Sequence, residues 1–159
     1  MPSSHRGRLH LTCNQEPQGL VGSNPTDGSL MKVCLNCGKN LVGNKKYCDN
    51  KCQADYQHKE WVIRWKQGLE SGLKGEYGIS QHLKRYLFEK FNNKCCKCGW
   101  GEMNPYSQTI PLEIDHIDGD YSNNNEENLQ LLCPNCHSLT STYKGANKGQ
   151  GRKDRKKYS

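Results

Sequence analysis

Eight cysteines set out as two groups of paired ligands constrain this chain more than any other feature. The first group, Cys34, Cys37, Cys48 and Cys52, is a CxxC followed by a CxxxC, with Gly38 directly after the first pair. The second, Cys95, Cys98, Cys133 and Cys136, is two CxxC pairs with a long insert between them. Only 33% of the 159 residues are hydrophobic, so a large apolar core is out of reach and stability must come from elsewhere. Paired spacing of this kind, in a chain with no secretory signal, reads as metal ligation rather than as disulfides. Two structural Zn2+ ions are expected, each held by four thiolates in a tetrahedron. Such ligation is worth on the order of 10 kcal/mol in small modules, about the stability of a whole domain, so each cluster decides whether its surroundings fold. Cys96 is spare in the second group and is expected to be a free thiol.

The two groups also divide the chain. Residues 1–30, rich in Gly, Pro, Ser and Asn and without hydrophobic period, are expected to be a disordered leader, with Met31 as an alternative start of translation. Residues 31–66 are expected to form a zinc finger plus helix. A knuckle carries Cys34 and Cys37, and the first turn of the helix carries the second pair, as in treble-clef or zinc-ribbon modules. That helix runs to about Lys66 and sets Trp61 and Trp65 one turn apart on a face that packs against the finger or the next domain. The glycines at 68, 72, 75 and 78 are expected to break regular structure over a linker at 67–79. Ser80 reads as an N-cap, and Leu83, Leu87 and Phe91 recur at helical spacing through Asn92. A single domain over 80–151 and a basic tail over 152–159 complete the division. No stretch approaches the roughly 20 apolar residues of a membrane span, and a soluble, intracellular, cytoplasmic protein is expected.

The insert of the second cluster is the part that reads as catalytic. One zinc on Cys95, Cys98, Cys133 and Cys136 would clamp the ends of residues 99–132. Within the clamp, Leu112-Glu113-Ile114-Asp115-His116-Ile117 alternates like a short strand, and the Asp-Gly-Asp-Tyr-Ser-Asn run after it reads as a turn and loop. Residues 128–132 return as a second strand, and Cys133-Pro134-Asn135-Cys136-His137 turns into a helix. Glu113, Asp118 and Asp120 lie near the site and are candidate metal ligands, but each is expected rather to face solvent, with Asp118-Gly119 serving the turn, and His58 has no partner in the pattern.

Asp115-His116, then Asn128, then His137 directly after a CxxC resemble the HNH endonuclease motif, and residues 95–151 are similar to phage-type HNH nucleases with a four-cysteine zinc. The resemblance implies a small, zinc-stabilised α+β fold: a ββα-metal, treble-clef-like nuclease domain preceded by a small zinc finger and helices. It implies hydrolysis of phosphodiester bonds in DNA and a phage-encoded protein acting in a bacterial host. His116 would be the general base, and Asn128 would tie the loop that carries His116 and orient its imidazole. Asp115 and His137 would hold one catalytic divalent ion, Mg2+ or Mn2+. The groups suit these tasks. An imidazole accepts a proton near neutral pH, and a carboxylate with an imidazole binds a divalent ion while leaving positions open for substrate. Two other functions fit the same composition: a two-zinc DNA-binding module without catalysis, and an RNA-cleaving nuclease. Asp115, His116 and His137 together favour hydrolysis, because binding alone requires none of them.

The net charge is +7, and seven basic residues (Lys144, Lys148, Arg152, Lys153, Arg155, Lys156, Lys157) stand against Asp154 alone at the C-terminal end. Almost all of the excess is therefore concentrated where it can meet a polyanion such as DNA, since each phosphate neutralised releases a condensed counterion. Removing residues 152–159 should weaken DNA binding and lower the slope of log affinity against log salt by about 0.9 for each phosphate no longer neutralised. A fluorescence-anisotropy salt titration checks this, and an unchanged slope would show the tail to be idle.

Overall fold

The computed structural model describes residues 32–144. The expected leader, and Lys148, Arg152, Lys153, Arg155, Lys156 and Lys157 of the tail, lie outside these residues. The described chain is a small α+β protein with helices α1 (Asn50–Lys66), α2 (Gln81–Lys90) and α3 (Pro134–Ser138). Its strands form two antiparallel pairs, β1 (Leu73–Lys74) with β2 (Gly78–Ile79) and β3 (Glu113–His116) with β4 (Leu129–Leu132). Two compact units result, one of residues 32–86 with 124–126 and the other of 87–123 with 127–144. No helix among the described residues is long and apolar enough to cross a membrane.

In the first unit the backbone turns tightly around the first cysteine pair. Cys34 N–H donates to Lys39 O at 2.8 Å, and Gly38, at φ +73°, donates to Cys34 O at 2.9 Å. Asp49 caps α1, its carboxylate accepting from Cys52 N–H at 2.7 Å, so the cap that starts the helix also seats the fourth cysteine in the first turn.

Aromatic rings join α1 to the first turns of α2. The Trp65 ring stacks with Trp61 at 6.1 Å and meets Tyr86 edge-on at 5.3 Å, while Trp61 stacks on His82 at 5.2 Å. Offset and edge arrangements of this kind stabilise beyond what the buried area of the rings contributes. His58, which has no partner at short range in the sequence, is buried with its Nδ1 3.3 Å from His82 Nδ1. That partner lies in another helix, beyond the reach of any local pattern.

Over 67–79 the glycines shape regular structure instead of breaking it: Leu73 pairs with Ile79 and Lys74 with Gly78. Gly68, Gly72 and Gly75 take φ +75°, +76° and +64°, turning the chain before and within the ribbon. Gly72 is confined as well, because a Cβ there would lie 2.8 Å from Leu83 Cδ2 and 2.9 Å from Asn124 Cβ. Asn124 is pinned at the same place, accepting from Trp65 Nε1–H at 3.1 Å and donating its amide to Ser71 O at 3.0 Å.

The second unit takes its core from the last turn of α2, the two strands and the second cysteine group. Leu112, Leu131 and Leu132 are buried with Cys95 and Cys133, and Phe88, Phe91, Trp100, Ile110 and Ile114 pack around them. Helical spacing predicts α2 through Asn92, yet it ends at Lys90. Asn92 and Asn93 adopt φ +51° and +55°, the left-handed region that asparagine tolerates better than most residues. Cys96 N–H donates to Leu131 O at 2.9 Å, tying the first knuckle to β4. The register pairs Glu113 with Leu132, Ile114 with Leu131, Asp115 with Gln130 and His116 with Leu129. Asn128, expected to open the second strand, instead closes a 3-10 turn at Glu126–Asn128, so β4 begins one residue later.

Gly72→Ala should cost about 2 kcal/mol or more, combining a left-handed backbone with a clash that neither Leu83 nor Asn124 can relieve cheaply. Gly68→Ala, at φ +75° with nothing within 4 Å of its Cβ position, should cost only about 1 kcal/mol. Urea midpoints of the two variants decide the matter; equal losses would mean that the space around Gly72 is not limiting.

Candidate active site

The two cysteine groups are brought together as the spacing predicts. Within each set of four, the sulfur atoms lie within 4.8 Å of one another. Four thiolates about 2.3 Å from one tetrahedral zinc stand about 3.8 Å apart. The Cys37 and Cys48 sulfurs are separated by 3.8 Å, and those of Cys98 and Cys133 by 3.7 Å. Both groups could therefore hold zinc.

The electrostatics of the thiols agree with that fit. Burial opposes ionisation of Cys34, but the backbone N–H groups of Cys37, Cys48 and Asn36 prevail and bring its thiol down to about 6. Cys95 is likewise brought down to about 6, burial again being outweighed, here by the N–H groups of Cys133, Cys98 and Lys97. In the same clusters the Cys52 side chain and burial push Cys48 upward, and burial and Cys98 push Cys136 upward. Knuckle amides thus favour the thiolate of Cys34 and of Cys95, while neighbouring thiols and burial work against ionisation of Cys48 and Cys136, a cost that a shared cation would offset.

Next to the second group, β3 and α3 carry a polar cluster. Side chains alternate along a strand, so Glu113 and Asp115 share one face of β3, and Gln130, opposite Asp115 in the register, shares it too. Cys133 caps α3 through its sulfur and Pro134 opens the helix, which sets His137 one residue beyond Cys136, the last cysteine of the group. From there His137 meets both carboxylates: Nδ1 is 2.8 Å from Glu113 Oε2, and Nε2 is 3.4 Å from Asp115 Oδ1. The buried Asp115 accepts from Gln130 Nε2 at 2.7 Å through its other oxygen, Oδ2. The ring of Tyr143 stands edge-on to His137 at 5.2 Å. Donor atoms about 2.0–2.2 Å from one divalent ion lie about 3.0–3.5 Å apart in neighbouring positions, which is the spacing of Asp115 Oδ1 and His137 Nε2.

His116, half-buried, is the last residue of β3, where the chain enters the loop. That loop is laced by Asn128 and Asp118. Asn128 Nδ2 donates to Asp118 Oδ1 and to Asn123 O, both at 2.8 Å, and Asn128 Oδ1 accepts from Asp118 N–H at 3.0 Å. Ile117 N–H donates to Asn128 O at 2.9 Å, so both ends of the loop following His116 are fastened to this one residue. Asp118 also accepts from Asn123 Nδ2 at 2.6 Å and from Asp120 N–H at 2.8 Å. Burial works against its charge, but the bonds from Asn123, Asp120 and Asn128 prevail and hold the carboxyl below the usual range, with His116 contributing.

Glu113 and Asp118 are exposed, as expected, and each is also engaged, Glu113 by His137 and Asp118 as the hub of the loop. Gln130 had no signal of its own in the sequence, because its role depends on a register that only pairing reveals. Glu113 could have been found from its position two residues before Asp115. Of the basic residues at the C-terminal end, Lys144 alone is among those described, its ammonium 5.0 Å from the centre of the Tyr143 ring.

The chain thus presents an aspartate and a histidine as neighbouring donors beside a four-cysteine cluster. Among curated proteins it is similar to the H-N-H endonuclease F-TflIV of Escherichia phage T5, with 48% identity over 95 residues. That match covers 58% of this chain and 41% of the phage protein, so the chain spans about two fifths of its relative. No family model matches the chain, and no solved structure does.

Because the folded-state pKa of Asp118 is lowered, its stabilisation is complete above the ordinary aspartate range, near about 3.9. It is lost as pH falls through the lowered value. Asp118→Asn should be less stable than the parent at neutral pH, with the gap closing on acidification. Urea midpoints compared at several pH values read this out; a gap that stays constant would mean that the charge does not hold the loop.

Proposed function

We propose that this protein is a metal-dependent HNH-type endonuclease that hydrolyses phosphodiester bonds in DNA. The observation that carries the reading is the 3.4 Å approach of His137 Nε2 to Asp115 Oδ1 beside a cysteine cluster of zinc-like geometry. The similarity to the phage T5 endonuclease supports it. So does the succession of β3, β4 and α3, the outline of a ββα-metal site.

In this reading Asp115 and His137 would hold one divalent ion, Mg2+ or Mn2+, which would supply positive charge to offset the negative charge developing on the phosphate during hydrolysis. His116 accepts a proton from the attacking water on an imidazole nitrogen as that water's oxygen bonds to phosphorus. The P–O3′ bond breaks, and the departing 3′-oxygen takes a proton from solvent, leaving a 3′-hydroxyl and a 5′-phosphate. His116 follows Asp115 directly at the end of β3, where the strand gives way to the loop. Asn128 keeps the loop after His116 in place, and through it the imidazole. The two cysteine groups hold structural zinc. The basic residues from Lys144 onward bind the DNA backbone without reading sequence.

Plasmid incubated with the purified protein and Mg2+ or Mn2+ should be cleaved. His116→Ala should lower the rate by about 10²–10⁴-fold with zinc content unchanged, since the loss is that of a general base. Equal cleavage by this variant would remove His116 from the mechanism. Intact DNA and RNA under broad metal and pH conditions would instead favour a two-zinc binding module.

A further inference from the structure

Asp115 and His137 can serve as a donor pair only if each is kept in a state fit to bind a cation. An imidazole ligates only through a nitrogen that carries no proton, and a carboxylate offers a defined geometry only if it is kept from rotating. In a helix as short as α3 and a strand as short as β3, neither condition is met by the backbone alone.

Two neighbours meet these conditions. Glu113 Oε2 lies 2.8 Å from His137 Nδ1, a distance at which Nδ1 is the proton-bearing nitrogen and donates. In a neutral ring this leaves the lone pair on Nε2, the nitrogen facing Asp115 Oδ1 at 3.4 Å. Two acceptors then confront each other with no proton between them, an arrangement that repels unless a cation lies between. On the other side, Gln130 Nε2 donates to Asp115 Oδ2 at 2.7 Å in a buried setting, which occupies one carboxylate oxygen and directs the other towards His137. Both neighbours come from the sheet itself. Glu113 is one pleat repeat from Asp115 on the same face, and Gln130 is the cross-strand partner of Asp115.

We infer that Glu113 and Gln130 are positioning residues of the divalent-ion site, Glu113 by selecting the His137 tautomer with a free Nε2 and Gln130 by fixing Asp115 so that Oδ1 alone is presented. The inference rests on the proposed metal role of Asp115 and His137 and assigns the two residues that make that role possible. The competing arrangement is a metal-free triad in which a protonated His137 is held between two carboxylates. The same distances would serve it, so binding has to decide.

The deciding measurement is Mn2+ affinity of the full, zinc-loaded chain by electron paramagnetic resonance, with zinc content as the check on folding. The parent should bind one Mn2+ that is lost in His137→Ala. Glu113→Ala should weaken that site by about 10–100-fold, the usual effect of removing a hydrogen-bond partner from a metal-ligating side chain. Glu113→Gln should recover most of the loss, because its amide oxygen still accepts from Nδ1–H and preserves the tautomer; a purely electrostatic role for Glu113 would leave Gln as poor as Ala. Gln130→Met, close in volume but unable to donate, should weaken binding as well. Parent-like affinity in both Glu113→Ala and Gln130→Met, with His137→Ala still abolishing the site, overturns this inference alone. Absence of any Mn2+ site in the parent overturns it together with the metal role of Asp115 and His137.

Discussion

The four sulfurs of Cys95, Cys98, Cys133 and Cys136 are the constraint on which the rest of the second unit depends. Their atoms converge within 4.8 Å from positions far apart in the chain, closing the insert between them. A lean core could not close such a loop unaided, since the entropy of fixing the insert has to be offset by something stronger than a few leucines. Cation binding by thiolates is of the right size. The same sulfurs do local work: Cys133 caps α3, and Cys136 stands next to His137, so that convergence of the sulfurs and the placing of the candidate active-site histidine are one event.

Around this clamp the chain builds its chemistry on strands and keeps its loop on a short tether. Asp115 is buried, yet its second oxygen is satisfied by Gln130, and among the described residues no buried side-chain nitrogen or oxygen lacks a hydrogen-bond partner. Placing the aspartate in a paired strand gives it a rigidity that a loop could not, and a cross-strand amide costs nothing in chain entropy beyond the pairing already made. The loop after His116 is treated differently. Asn128 and Asp118 lace it with side-chain bonds, because a run of Asp, Gly, Ser and Asn around the single Tyr121 has little apolar surface to bury.

The first unit solves the same scarcity of apolar residues by aromatic stacking. Trp61, Trp65, His82 and Tyr86 connect α1 to α2, and Gly72 lets the chain approach Asn124 and the buried Leu83 more closely than a methyl group would allow. Large flat rings suit a small module, since each covers much area for little loss of side-chain freedom.

What the residues alone determined is whatever has a fixed local period. The CxxC spacings announced both clusters, because two residues between cysteines set two thiols at the separation a tetrahedral ion needs. The strand at 112–117, the capped helix after Ser80 and the adjacency of Cys136 and His137 are local in the same sense. Helix ends were less legible, since asparagine at 92 and 93 takes a left-handed conformation that spacing does not foretell. So was the ribbon at 73–79, because glycine marks a turn and a break with the same letter. What only the tertiary structure decided is pairing at a distance: His58 with His82, Glu113 with His137, and Gln130 with Asp115. Each depends on a register or a helix packing between residues many positions apart, and a pattern read along one chain has no term for an interaction whose energy exists only once two segments have met.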